Sequence, residues 1–148
     1  MGKKLAMPLD TRSRRTLLRR AGAALVVGTT MAGCLGGGGP SGPTVTMTGD
    51  LRFEPTDITI DAGQQVTWTN DSGAPHTASA YENAIPDDAS YFASGDYKSE
   101  QAIRQSTSAR GFLERGDTYS HTFDVEGTYR YFCLPHEGNG MVGRVVVE

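Results

Sequence analysis

From Thr44 onward the chain consists of short runs of β-branched and aromatic residues separated by Gly, Asp and Pro. That is the pattern of an all-β sandwich or barrel. In Asp57-Ile58-Thr59-Ile60 apolar positions alternate with polar ones, as Val66 and Trp68 do over residues 65–69. Successive side chains of a strand point to opposite faces, so one face of each is core. Strands are predicted at 45–48, 57–60, 65–69, 118–123, 128–133 and 143–147, with turns at Asp61-Ala62-Gly63 and Glu126-Gly127. Trp68 is assigned to the core. Tyr129 and Tyr131 are assigned to the packing, one of them tying a strand corner through its hydroxyl.

Two stretches break the pattern. Residues 82–113 are polar with scattered anchors at Ile85, Tyr91, Phe92, Ile103, Phe112 and Leu113, which reads as a long excursion with a helical turn at 99–104. Residues 1–33 are a basic stretch followed by a short apolar run, AGAALVVGTTMA. That run falls short of the roughly 20 residues of a spanning helix and reads as an export signal. Arg14 and Arg15 lie in a segment resembling the twin-arginine motif, and Met31-Ala32-Gly33-Cys34 resembles a lipobox with Cys34 as the lipidated residue. Residues 34–43, rich in glycine, then read as a flexible tether holding the 44–148 domain within roughly 15–20 Å of a surface.

This division changes the meaning of the overall charge of −3. Seven of the 14 Lys and Arg residues precede Cys34, opposed only by Asp10, so the remainder carries seven basic against 16 acidic residues and a net charge of −9. Such an excess argues against nucleic acid and fits a high-salt medium or a basic protein partner. The two cysteines lie in segments too different to suggest a disulfide.

The chemistry concentrates in Cys133-Leu134-Pro135-His136-Glu137-Gly138-Asn139-Gly140-Met141, between two predicted strands. One loop there offers a thiolate, an imidazole and a thioether, the mixture that suits copper: soft sulfur for Cu(I), imidazole for both oxidation states, and a weak axial Met. Pro135 sets a bend that returns His136 to the thiol, and Gly138 and Gly140 let the chain turn before Met141. A second imidazole comes from His76, placed by Pro75 just beyond the Trp68 strand. The remaining histidine, His121, reads as structural or solvated.

Cys-x2-His-x4-Met with Gly-x-Pro-His upstream resembles the plastocyanin-type blue-copper proteins, and Phe53-x-Pro55 through Trp68-x-Asn70 resembles their first strands. Together with the signal, tether and acidity, the 91–101 segment makes the chain most similar to the halocyanins of halophilic archaea. The resemblance implies a cupredoxin-like Greek-key β-sandwich holding one copper ion, Cu(I)/Cu(II), on His76, Cys133, His136 and Met141. It further implies a mobile, monomeric carrier of single electrons between redox proteins, not an enzyme, held at the outer face of the cell membrane by lipid alone and serving a respiratory or related chain. An apolar rim of Gly73, Ala74, Pro75, Pro135 and Met141 around His136 would be the port. Thr77 and Leu134 stand where plant plastocyanins usually have Asn and a small polar residue, so any clamp between the two ligand loops has to be rebuilt from other atoms. Phe132 stands where they often have Tyr.

Rival readings use the same residues. A thiol enzyme needs an open cleft and an activated Cys133. A structural zinc module needs a fourth Cys or His ligand. A copper store would hold the ion without exchanging electrons.

Overall fold

The computed structural model describes residues 41–148; the export segment with Arg14 and Arg15, and the Cys34 lipidation position, lie outside the described residues. Eight strands form two mixed sheets of four. In the first, β1 (Ser41–Met47) runs parallel to β4 (Gln64–Asn70), with β2 (Phe53–Glu54) and β6 (Thr118–Phe123) at the edges. In the second, β3 (Asp57–Ile60) runs parallel to β8 (Val142–Val147), which pairs with β7 (Gly127–Phe132), and β5 (Ser79–Ala80) closes the far edge. Among the described residues no helix is long and apolar enough to cross a membrane.

The alternation read from the sequence is the packing. Val66 and Trp68 of β4 are buried, as are Tyr129, Tyr131, Val145 and Val147 of the facing sheet. The Trp68 ring lies 5.3 Å from Tyr131 and 5.6 Å from both Phe92 and Tyr119, centroid to centroid. Contacts of this kind hold sheets together beyond area alone. The strand corner is tied by Tyr129, whose hydroxyl donates to the Val125 carbonyl at 2.6 Å.

Two boundaries differ from expectation. β1 begins at Ser41, so Ser41, Gly42 and Pro43 are strand rather than tether. Ser41 pairs with Gln65, and Gly42 passes so close to the Gln65 carbonyl that a Cβ would overlap it. A pairing shift before Thr44 absorbs the proline. The excursion, in turn, is not free of the sheet: Ala80 donates to the Phe92 carbonyl and Ser94 to that of Ala78, laying residues 92–94 along β5. Its helical turn is present as α1 (Glu100–Arg104), capped by Ser99, whose Oγ accepts from the Ala102 amide at 3.1 Å. Ile103 and Phe92 are buried, and Ile85, Tyr91, Phe112 and Leu113 are half-buried.

His121 faces the core from β6, its ring stacked 4.8 Å from Phe92 and edge-on 4.8 Å from Phe123. Burial lowers its pKa to about 4, against the opposing pull of Asp124. Between pH 6.5 and about 4 the unfolded chain therefore takes up a proton that the folded chain refuses, and stability falls as pH drops through that window. His121→Leu is expected to remove about 2 kcal/mol of this pH dependence, after a discount for the ring's remaining solvent contact. Denaturant unfolding of both proteins at about pH 7 and about pH 4.5, either side of most of that window, checks it.

Candidate metal centre

Asn70 occupies the last core-facing position of β4, and the loop that follows delivers His76. Its backbone is held on both sides: the His76 amide donates to the Leu113 carbonyl at 3.1 Å, and the Leu113 amide to that of His76 at 2.8 Å. Cys133 follows β7, where its amide donates to the Met141 carbonyl at 3.0 Å. Between them Leu134–Asn139 forms a 3₁₀ turn with Pro135 at its start. The turn ends at Gly140, φ 83°, a left-handed conformation that favours glycine. Gly138 needs no such freedom, contrary to expectation: its φ is ordinary and the chain turns at Gly140 alone.

These two loops bring three donor atoms to one point. Cys133 Sγ lies 3.6 Å from His76 Nδ1 and 3.4 Å from His136 Nδ1, and the two nitrogens are 3.1 Å apart. A point equidistant from the three is roughly 2 Å from each, close to metal–imidazole and metal–thiolate bond lengths of roughly 2.0–2.3 Å. His76 and Cys133 are fully buried and His136 is half-buried. Met141 is fully buried too, its amide donating to the His136 carbonyl at 3.2 Å, which brings a thioether to the same pole. The donors therefore fit a copper ion held by two imidazoles and a thiolate, with a weak axial sulfur. Among the described residues no other group of His, Cys, Asp and Glu gathers in this way.

Burial sets the electrostatics. It lowers the His76 pKa to about 4, with the neighbouring His136 adding to the effect, and it lowers that of His136. Both imidazoles are thus neutral and free to ligate near neutral pH. Burial also raises the Cys133 thiol, against bonds from Thr77 and His136. An enzymatic nucleophile needs the opposite, a lowered pKa and access, whereas a metal ion would displace the thiol proton on binding.

The clamp between the ligand loops is rebuilt around Thr77. Its amide donates to Cys133 Sγ at 3.4 Å, and its Oγ1 accepts from the Leu134 amide at 2.7 Å. A backbone N–H replaces the polar side chain that Leu134 lacks. A second tie comes from the excursion. Arg104 of α1 holds Glu137 through two bonds of 2.8 and 3.1 Å, and its guanidinium lies 4.3 Å from the Phe132 ring centroid. Tyr81 donates to the same carboxylate at 2.8 Å, and Phe132 is fully buried beneath these groups. Sequence reading missed Arg104, Glu137, Asn70 and Ser72 as parts of the site. No local motif links Arg104 to Glu137, but Asn70 and Ser72, polar residues immediately upstream of a ligand, were a usable signal.

Of the expected rim, Gly73, Pro75 and Pro135 are exposed and Ala74 is half-buried. Met141 does not belong to it, because its side chain is used inside, where a sulfur ligand must sit.

The family profile for copper binding proteins of the plastocyanin/azurin family matches residues 42–148. A chloroplastic plastocyanin from Tetradesmus obliquus is 40% identical over 102 residues, 68% of this chain and 61% of that protein's length. A plastocyanin from Scenedesmus fuscus is 39% identical over 101 residues, again 68% of this chain but 90% of the relative. Among solved structures, a purple cupredoxin from Nitrosopumilus maritimus superposes with a TM-score of 0.52 at 26% identity, covering 72% of this chain and all of the other. An oxidized amicyanin mutant gives 0.51 at 26% identity over 71% of this chain and 80% of the other. The sandwich is therefore cupredoxin-like, and His76, Cys133, His136 and Met141 are placed as its single copper site.

Copper-loaded Cys133→Ser is expected to lose the intense thiolate-to-copper absorption, whereas Met141→Leu keeps a coloured site with a shifted reduction potential. Absorption spectra and voltammetry of the two variants check this; a Cys133→Ser protein that stayed blue would remove the assigned ligand.

Proposed function

The chain belongs to the plastocyanin/azurin family of copper-binding proteins, whose members are electron carriers and not enzymes, and from that premise we propose that it is a mobile one-electron carrier of the halocyanin type. The observation that carries the reading is the placement of the donors. A set of two nitrogens and one sulfur is held by two sheets, and one of its ligands, His136, is half-buried next to the exposed Pro135. Copper bound there supplies one-electron chemistry between Cu(I) and Cu(II). The residues of the chain keep the ligand positions nearly the same for both, since Thr77 and the Cys133–Met141 pairing fix the loops on rigid strands.

His136 is then the way in and out, and the rim of Gly73, Ala74, Pro75 and Pro135 is the surface on which redox proteins dock. Apolar contact lets a partner approach closely and leave quickly. The raised pKa and complete burial of Cys133 disfavour the thiol-enzyme alternative. A three-donor set with a thioether likewise disfavours structural zinc.

The acidic body, the signal-like segment and Cys34 support a monomer exported and held by lipid at the outer face of the membrane of a halophilic archaeon, serving respiratory or related electron transfer. No nucleic acid is involved. The lipid is the only membrane contact.

Reversible one-electron voltammetry of the copper-loaded protein distinguishes a carrier from a store. Pro135→Glu is expected to slow electron exchange with membrane redox proteins by roughly tenfold or more, since a charge in an apolar contact is desolvated without a partner, while leaving the copper spectrum unchanged. An unaffected rate would move the port elsewhere. Cys34→Ser should shift the protein from the membrane to the soluble fraction; retention on the membrane would argue against the anchor.

A further inference from the structure

The loop between β4 and His76 holds two polar side chains that a loop of this kind would ordinarily leave in water. Asn70 is 1% exposed and Ser72 5%. Ser72 Oγ lies 2.8 Å from His76 Nε2, the ring nitrogen facing away from the donor cluster. The same oxygen lies 2.9 Å from Asn70 Oδ1 and 3.1 Å from the Ala74 carbonyl, and it accepts from the Ala74 amide at 3.2 Å. Asn70 is itself fixed. Its Oδ1 accepts from the Ser72 amide at 2.8 Å, and its Nδ2 donates to the Ala74 and Leu113 carbonyls at 2.7 and 2.8 Å.

Counting protons gives the network a direction. Asn70 Oδ1 and the Ala74 oxygen can only accept, and Nε2 could accept only if Nδ1 carried the proton, which would aim an N–H at the imidazole nitrogen of His136 and at the point where a cation binds; the single hydroxyl proton of Ser72 is accordingly assigned to Asn70 or Ala74. The lone pairs left on Oγ face the Ala74 amide and His76 Nε2. That nitrogen is therefore held as N–H, and Nδ1 keeps its lone pair on the side of Cys133 and His136. His76 has no solvent to serve as an alternative acceptor, being fully buried.

We propose that Ser72, oriented by Asn70, is a positioning residue that fixes the tautomer and ring orientation of His76. The relay also recruits the excursion. Leu113 accepts from both Asn70 Nδ2 and the His76 amide, so the last residue of that segment closes the frame around the ligand. Metal-bound imidazoles depend on such outer partners for orientation, and losing one costs about 10–100-fold in metal affinity.

The first test uses the wild-type protein free of copper. Nitrogen-15 NMR of the histidine rings should show His76 protonated at Nε2 and unprotonated at Nδ1. A dominant Nδ1–H form, or an even mixture, would overturn the proposal.

The second test compares Cu(I) affinity by chelator competition. Ser72→Ala should bind about 10–100-fold more weakly and show a mixed His76 tautomer, while Ser72→Thr, which keeps the hydroxyl, should recover most of the loss. Affinity for Ser72→Ala within roughly twofold of wild type would refute it. If Ser72→Ala is too unstable to assay, the wild-type tautomer decides. Neither measurement requires electron transfer, so the inference can fail while the carrier reading stands, and the reverse.

Discussion

Two imidazole nitrogens and a thiol gathered at separations of 3.1–3.6 Å have one S–H proton among them, enough for a hydrogen bond to one nitrogen only. The nitrogen lone pair left without that proton is costly to bury, so it has to be held in place. The rest of the fold supplies the restraint. Backbone bonds fix His76 to Leu113 and Cys133 to Met141, and Thr77 ties one ligand loop to the other. Because the His76–Leu113 and Cys133–Met141 ties are backbone bonds, they cannot relax one side chain at a time.

That restraint explains why the core is dense with rings. Trp68, Phe92, Tyr131, Phe53 and Phe123 fill the space between the sheets with edge-on and stacked contacts. Packing of this density transmits displacement instead of absorbing it. The excursion adds to the same end. Phe92 enters the core, Arg104 seals Phe132, and Leu113 backs His76. An insertion that looks like a loop in composition is, in contacts, a third wall of the metal centre.

The strands and the four ligands were legible because their signals are local or stereotyped. Alternation at Asp57–Ile60 and a β-branched and aromatic run at Thr118–Phe123 mark strands whose bounds the structure reproduces, and Cys-x2-His-x4-Met has a spacing that few other chemistries need. What was not legible depends on partners distant in sequence. β2 and β5 are two residues each and carry no period. Arg104 meets Glu137 only because α1 packs beside β5 and sets its guanidinium over Phe132, and no pattern within either segment encodes that meeting. The spacer was read as running to Pro43 because Gly42 and Pro43 are poor strand formers; the neighbouring Gln65 backbone captures Ser41 all the same.

The chain enters the sandwich at Ser41, beside Gln65, at the start of β4. The ligand loop leaves from Asn70 at the other end of that strand, roughly 20 Å away for seven extended residues. Ser41 and the donor loop therefore lie at opposite ends of β4. A partner that meets the histidine edge therefore contacts the sandwich at the end opposite Ser41, and that end stays clear of the exchange.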